Sequence, residues 1–222
     1  MPRTSLAQVQ ILKIASVLLL GIFTLIPNQS MATEIPKYAV IKEDGDFEIR
    51  RYAPRIVAEV SVSGELDSAS SQGFRLLAGY IFGDNRISTP QTMTVSPDQS
   101  TKIAMTAPVT LEPLDQTPAM TASRQWRVEF TMPSEYTLAT LPKPTNSAVQ
   151  IREIPVRTYA AVRYSGLNTE SRINEETSRL QAWTKQQGLE STGVAELARY
   201  NPPWTLPMFR RNEILMPIKD PS

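Results

Sequence analysis

Eighteen residues from Phe47, FEIRRYAPRIVAEVSVSG, return 102 positions later as VQIREIPVRTYAAVRYSG from Val149. Ile49, Arg50, Arg55, Ala58, Val60, Ser63 and Gly64 meet Ile151, Arg152, Arg157, Ala160, Val162, Ser165 and Gly166. A second window repeats in the same order: Glu129, Met132 and Pro133 of VEFTMP match Glu213, Met216 and Pro217 of NEILMP. A repeat of this length constrains architecture more than any single motif. Each copy reads as strand, helix, strand, strand, and one such unit cannot cover its own apolar face. Two can join their sheets into one surface with two helices packed on it. The expected class is α+β: pseudo-symmetric, duplicated strand-helix-strand-strand units forming a curved antiparallel sheet or distorted barrel with two main helices. The seam between the units is the natural place for a cleft.

Two absences narrow the chemistry. The 222 residues contain no cysteine and no histidine. Without cysteine there are no disulfides, thiolate metal sites or cysteine nucleophiles. Without histidine the usual general base and the usual haem axial ligand are missing, and a Ser-His-Asp hydrolase is excluded. Eighteen prolines against nine glycines argue for short elements with stiff connections rather than a helix bundle.

Residues 1–32 read as a secretory signal peptide, with residues 33–222 as a single domain whose repeats span about 37–133 and 148–218. Arg3 and Lys13 precede an apolar run from Ile14 to Ile26, and Ser30-Met31-Ala32 places small residues before a cleavage point. The run is short for a membrane span. Cleavage removes Arg3 and Lys13 and leaves 21 basic against 22 acidic residues, a net charge of −1. Such a chain has no electrostatic case for nucleic acid and no stable membrane span after cleavage. The expected destination is export: periplasmic, lumenal or extracellular.

Along the chain, strands are expected over Lys37–Lys42, Phe47–Tyr52 and Arg55–Val62, the first two joined at Asp44-Gly45-Asp46. A helix follows, capped by Asp67, Ser68 or Ser70. Phe74, Leu77, Tyr80 and Ile81 recur at helical spacing, Leu76 and Ala78 widen the stripe, and Gly83 and Asn85 end it. Arg86–Thr101 reads as a strand-turn-strand excursion with Met93 and Val95 on one face. Lys102–Val109, KIAMTAPV, reads as a short buried strand, Ile103 and Met105 on one side and Ala104 and Thr106 on the other. Pro113–Arg124 is an expected exposed loop, Gln125–Met132 a strand and Pro133–Ser147 a connector. Val149–Arg152 and Arg157–Tyr164 are strands. A second helix is capped by Asn168, Thr169 or Ser171, buries Ile173, Leu180 and Trp183, and stops at Gly188. Glu196–Tyr200 and Arg210–Ile218 complete the chain. Arg211 and Glu213 share a face there, so Glu213 is placed to pair with a basic neighbouring strand.

FEIRRYAP, GFRLLAGYIFGDN followed by KIAMTAPV, and YNPPWTLPMFRRNEILMPI together resemble the SOUL haem-binding proteins over roughly residues 36–218. The resemblance implies a pseudo-symmetric α+β barrel, similar also to effector-binding domains of some bacterial transcription regulators. It implies non-covalent binding of haem or another tetrapyrrole in a shallow hydrophobic groove beside the first helix. Some members carry a histidine axial ligand at the place Arg51 holds here, so no histidine ligand is available. Members without that histidine use an apolar helix face and basic residues for the propionates. Carried onto this chain, the face is Phe74, Leu77, Ala78 and Ile81, with Arg75 as the local cation, Arg51 as a propionate partner, and Trp204 and Met208 closing the other side.

Each assignment has a structural alternative. Phe74, Leu77 and Ile81 suit the core, Arg75 suits solvent, and Arg51 suits a cross-strand pair. Met105, Tyr52 or Tyr200 is a conceivable iron ligand, against core filling for Met105. The leading expectation is an exported carrier, buffer or scavenger for a small, hydrophobic tetrapyrrole-like ligand. Enzymatic removal of a tetrapyrrole's metal, and an effector module without tetrapyrrole specificity, are the alternatives.

Overall fold

The computed structural model describes residues 33–87, 100–115, 117 and 119–221. The elements run β1 (Tyr38–Asp44), β2 (Phe47–Tyr52), β3 (Arg55–Ser63), α1 (Leu66–Phe82), β4 (Asn85–Arg86), β5 (Val109–Pro113), β6 (Gln125–Thr131), β7 (Lys143–Pro144), β8 (Gln150–Ile154), β9 (Arg157–Tyr164), α2 (Glu170–Gln186), β10 (Glu196–Arg199) and β11 (Asn212–Ile218). Nine strands form one curled antiparallel sheet, a half-barrel of order β1-β2-β9-β11-β10-β5-β6-β3-β8, and β4 pairs with β7 apart from it.

That order carries the repeat. Apart from β1 it reads the same from both ends once β2 is equated with β8, β9 with β3, β11 with β6 and β10 with β5. The seam is the β5–β10 pair, where Leu111 faces Leu197 and Val109 faces Arg199. The first strand of each unit pairs in the other half: β2 lies against β9, and β8 against β3. Neither half-sheet is complete without the other.

Period-two alternation divides the strands. Val60, Val128, Ala160, Val162, Ile214 and Met216 face the helices and join Leu77, Tyr80, Ile81, Ile173, Leu180 and Trp183 in the main core. The opposite face buries Tyr52, Tyr159, Ala161, Ala198 and Leu215 together with ion pairs. Arg50 of β2 reaches across β9 to Glu213 of β11 with two bonds, Nη1–Oε2 at 2.6 Å and Nη2–Oε1 at 3.0 Å. Tyr200 and Arg211 also donate to Glu213, at 2.8 and 2.9 Å. The counterpart in the other half is Arg152 of β8, which donates to Glu129 of β6 at 2.7 Å and to Glu59 at 2.8 Å. The duplicated arginine and glutamate therefore pair across the repeats.

Several local expectations change. The first helix starts at Leu66 with Glu65 as its cap residue and no side-chain cap. Asp67, Ser68 and Ser70 fall inside it, because tertiary bonds set the start: Gly64, at φ 127°, donates to Arg124 and accepts from the Trp126 indole. Thr169 caps α2 as expected, accepting from the Arg172 N–H. Gly83 takes positive φ at the end of α1, whereas Asn85 bonds Tyr80 and Thr101 through its side chain and locks the helix terminus from β4. KIAMTAPV is not a ladder strand before its last residue: it bends at Ala107 and joins β5 only at Val109. The Ile103 N–H is bonded to the Ile81 carbonyl, and Thr106 makes a lone bridge to Glu34. The strand begins after Pro108 instead. Pro113–Arg124 is not wholly exposed, since Met120, Thr121 and Ser123 are buried. Met93 and Val95 lie outside the described residues.

Arg50→Ala is expected to destabilise the protein by about 3 kcal/mol, because the buried Glu213 loses its bidentate partner and keeps only Arg211 and Tyr200; urea unfolding monitored by circular dichroism measures this. A second outcome concerns Glu196. Burial, reinforced by Glu129 and Glu112, pushes its carboxyl up from 4.5 to about 8. The folded state then holds a proton that the unfolded state releases. This contribution to stability is complete below the unfolded value and is lost as pH rises through about 8. Comparing urea midpoints at acidic and alkaline pH, Glu196→Gln should flatten the decline across that window.

Candidate functional site

Each end of the seam is bounded by a helix flank, a β–β loop and the segment leading into a seam strand. At the first end these are α1, residues 100–108 and the loop from Tyr200 to Arg211. At the second they are α2, residues 189–195 and the turn carrying Met120 and Thr121. The hydrogen bonds repeat with the fold. Gly64 N donates to Arg124 O, and Gly166 N donates to Pro207 O, both at 2.9 Å. Arg199 donates to Ser70 of α1, and Thr121 is hydrogen-bonded to Asn174 of α2.

The first end carries exposed apolar side chains on α1 and on the Tyr200–Arg211 loop. Leu77 and Ile81 are fully buried, so they belong to the core. Phe74, Ala78 and Phe82, spaced four residues apart, form the outward stripe instead. Phe74 is 39% and Phe82 57% exposed, and Phe74 also rests edge-on against Phe130 with centroids 5.4 Å apart. Phe82 sits at the helix end and fits the spacing, but it was hidden by its place next to the breaker Gly83. Met105 surfaces here rather than filling the core. Arg75 is exposed. Trp204, 81% exposed, and Met208, 64% exposed, project with Leu206 and Phe209 from the loop. Arg210 fixes that loop by donating to the Thr205 and Pro203 carbonyls at 2.8 and 2.5 Å.

Arg51 is not beside α1. It lies on β2 in the other half of the sheet and pairs with Asp220 at 3.1 Å. The cation built into the first end is Arg199, which sequence reasoning missed; its only signal is its place just before YNPPW. Nη1 bonds Ser70 at 3.1 Å and Nη2 lies 3.5 Å from Asp67, while the buried Nε has no partner among the described residues. Burial lowers its pKa, with Asp67 opposing. Tyr52 and Tyr200 line the opposite sheet face. Burial pushes the Tyr52 phenol up to about 12, and the Tyr200 hydroxyl is bonded to Glu213. Neither is poised to ligate iron. Among the described residues no cluster of three acids suits a metal, and no helix is long and apolar enough to cross a membrane.

The second end is a cleft of about 550 Å³. Its α2 wall carries Thr177, Gln181 and Lys185, again four residues apart, over a floor that includes Met120, Leu189 and Met216.

A family model described as "SOUL heme-binding protein" matches residues 33–217. Among solved structures, the chain is similar to the C-terminal domain of EcmrR, with a TM-score of 0.55 and 11% identity over 82% of this chain and 98% of that one. It is also similar to a structure titled as a hydrolase from Listeria innocua, with a TM-score of 0.51 and 11% identity over 81% and 94% of the two chains. At these identities the likeness is one of fold. A search of curated proteins found no match.

The position of the apolar stripe depends on Gly73, where an added Cβ would stand 2.5 Å from Val128 Cγ2 of β6. Gly73→Ala gains helix propensity of about 1 kcal/mol, but overpacking costs about 1–3 kcal/mol. The expected outcome in thermal unfolding is a net loss, with α1 displaced outward.

Proposed function

The chain belongs to the SOUL haem-binding protein family, and from that premise we propose that the surface beside α1 binds haem or a related tetrapyrrole without a covalent bond. The observation that carries this reading is the outward stripe Phe74, Ala78 and Phe82 beside Arg199, a cation with a buried, unpartnered Nε. A macrocycle laid on the stripe would gain affinity from apolar burial, about 25 cal/mol per Å² before association costs. Arg199, with Arg75 on the same helix, would take the propionates as charge-assisted hydrogen bonds. Trp204 and Met208, held out by the Arg210 staple, would cover the opposite side of the ligand. When bound, haem would supply its own iron chemistry. The chain's residues provide an apolar bed and carboxylate recognition, and no histidine exists to ligate the metal.

Exported by its N-terminal segment, such a protein would act as a carrier, buffer or scavenger. Binding through the macrocycle rather than the iron predicts little discrimination between haemin and metal-free protoporphyrin IX.

Absorbance titrations with haemin and protoporphyrin IX in parallel test the reading. Both should saturate at similar concentrations, and the haemin complex should lack a histidine-type low-spin spectrum. Phe74→Ala and Phe82→Ala should each weaken binding about 3- to 10-fold, as expected from partial loss of an aromatic contact. Arg199→Gln should weaken both porphyrins but leave an uncharged porphyrin ester unaffected. Absence of a saturable change with either ligand would sink the proposal.

A further inference from the structure

Because the fold is doubled, the α1 surface has a counterpart at the other end of the seam, and the two have diverged in chemistry. Where α1 presents Phe74, Ala78 and Phe82, α2 presents Thr177, Gln181 and Lys185 at the same four-residue spacing. The second end also holds a cleft of about 550 Å³, within the range of small-molecule sites. We propose that this cleft is a second, independent ligand site, and that it takes an amphiphilic carboxylate: a molecule with one acid group and an alkyl or aryl body too small to be a porphyrin.

The body is specified by the floor. Met120, Leu189 and Met216 supply pliable apolar contacts there. The polar walls are mostly self-satisfied. Thr177 and Thr184 donate their hydroxyl protons to Ile173 O and Leu180 O, each at 2.7 Å, and the Asn174 amide donates to Thr121 at 2.8 Å. Among the described residues, Lys185 has no acidic partner, and Gln181 and Ser178 make no side-chain hydrogen bond. Asp115, the other charged residue of the lining, is not paired with Lys185. Its two oxygens accept from the Ser123 hydroxyl and the Arg124 N–H, which hold its carboxyl below the usual range. Lys185 is therefore the charged group of the lining whose donors stay unpaired among the described residues, and it is the group free to receive a carboxylate. The α2 wall lacks the aromatic stripe that a flat macrocycle needs, so the two ends select different ligands.

Isothermal titration calorimetry on the full-length protein, with decanoate, decanol and decylammonium below their aggregation concentrations, tests this. Decanoate should bind with saturation at least fivefold more tightly than the alcohol, and the ammonium should bind least. Lys185→Gln should remove the preference for decanoate over decanol. Ser178→Trp, an exposed substitution that fills the cleft, should weaken decanoate at least tenfold while leaving the thermal midpoint and the haemin titration unchanged. Failure of decanoate to saturate, equal binding of all three probes, or decanoate binding unaffected by Ser178→Trp but lost in Phe74→Ala would each overturn the proposal. Porphyrin binding without decanoate binding rejects this site alone, and the converse rejects only the α1 reading.

Discussion

The bidentate contact between Arg50 and Glu213 organises the sheet. Both groups are almost wholly removed from water, so either charge left alone would cost several kcal/mol. Burial by itself would raise the Glu213 carboxyl, yet Arg50, Arg211 and Tyr200 hold it below the ordinary range. The contact spans an intervening strand and reaches from one unit into the other. It therefore fixes both the register of β2 on β9 and the docking of a strand donated across the repeat. The Arg152–Glu129 contact does the same in the other half, with one difference. Glu59 lies between the partners where Ala161 stands in the first, and burial together with Glu59 raises Glu129 to about 7 despite Arg152. One half is locked by a balanced pair, while the other carries a surplus carboxylate.

Much of this was legible in the chain. The 102-residue repeat and the alternation within its strands led to the α+β sheet with two helices, and the shared face of Arg211 and Glu213 indicated a paired glutamate. What the repeat could not convey was the exchange. Sequence similarity equates Arg50 with Arg152 and Glu129 with Glu213 but is silent on whether each pair closes within a unit or between units. KIAMTAPV illustrates a second limit. Its alternation suits a strand, yet the Ile103 N–H is bonded to the end of α1, and ladder pairing waits until Val109.

The candidate site was legible as a place more than as a residue set. An apolar stripe on a helix has two sides, and periodicity alone does not say which one meets the sheet. Leu77 and Ile81 went inward, Phe74 and Ala78 stayed on the rim, and Phe82 joined them. Arg51 was assigned by its position in a motif, but strand exchange carried β2 away from α1. Arg199 was invisible because its importance comes from packing against Asp67 and Ser70 of a helix more than a hundred residues earlier.

The crossing of β2 and β8 has a bearing on ancestry. A single strand-helix-strand-strand unit, standing alone, would complete its sheet only by lending its first strand to an identical neighbour, which is the geometry of a domain-swapped homodimer. Joining two such copies through residues 133–147 would preserve every contact while ending the obligation of the two ends to be identical. Gene fusion thus provides a route by which a symmetric pair of equivalent grooves could become one aromatic surface and one polar cleft within a single chain.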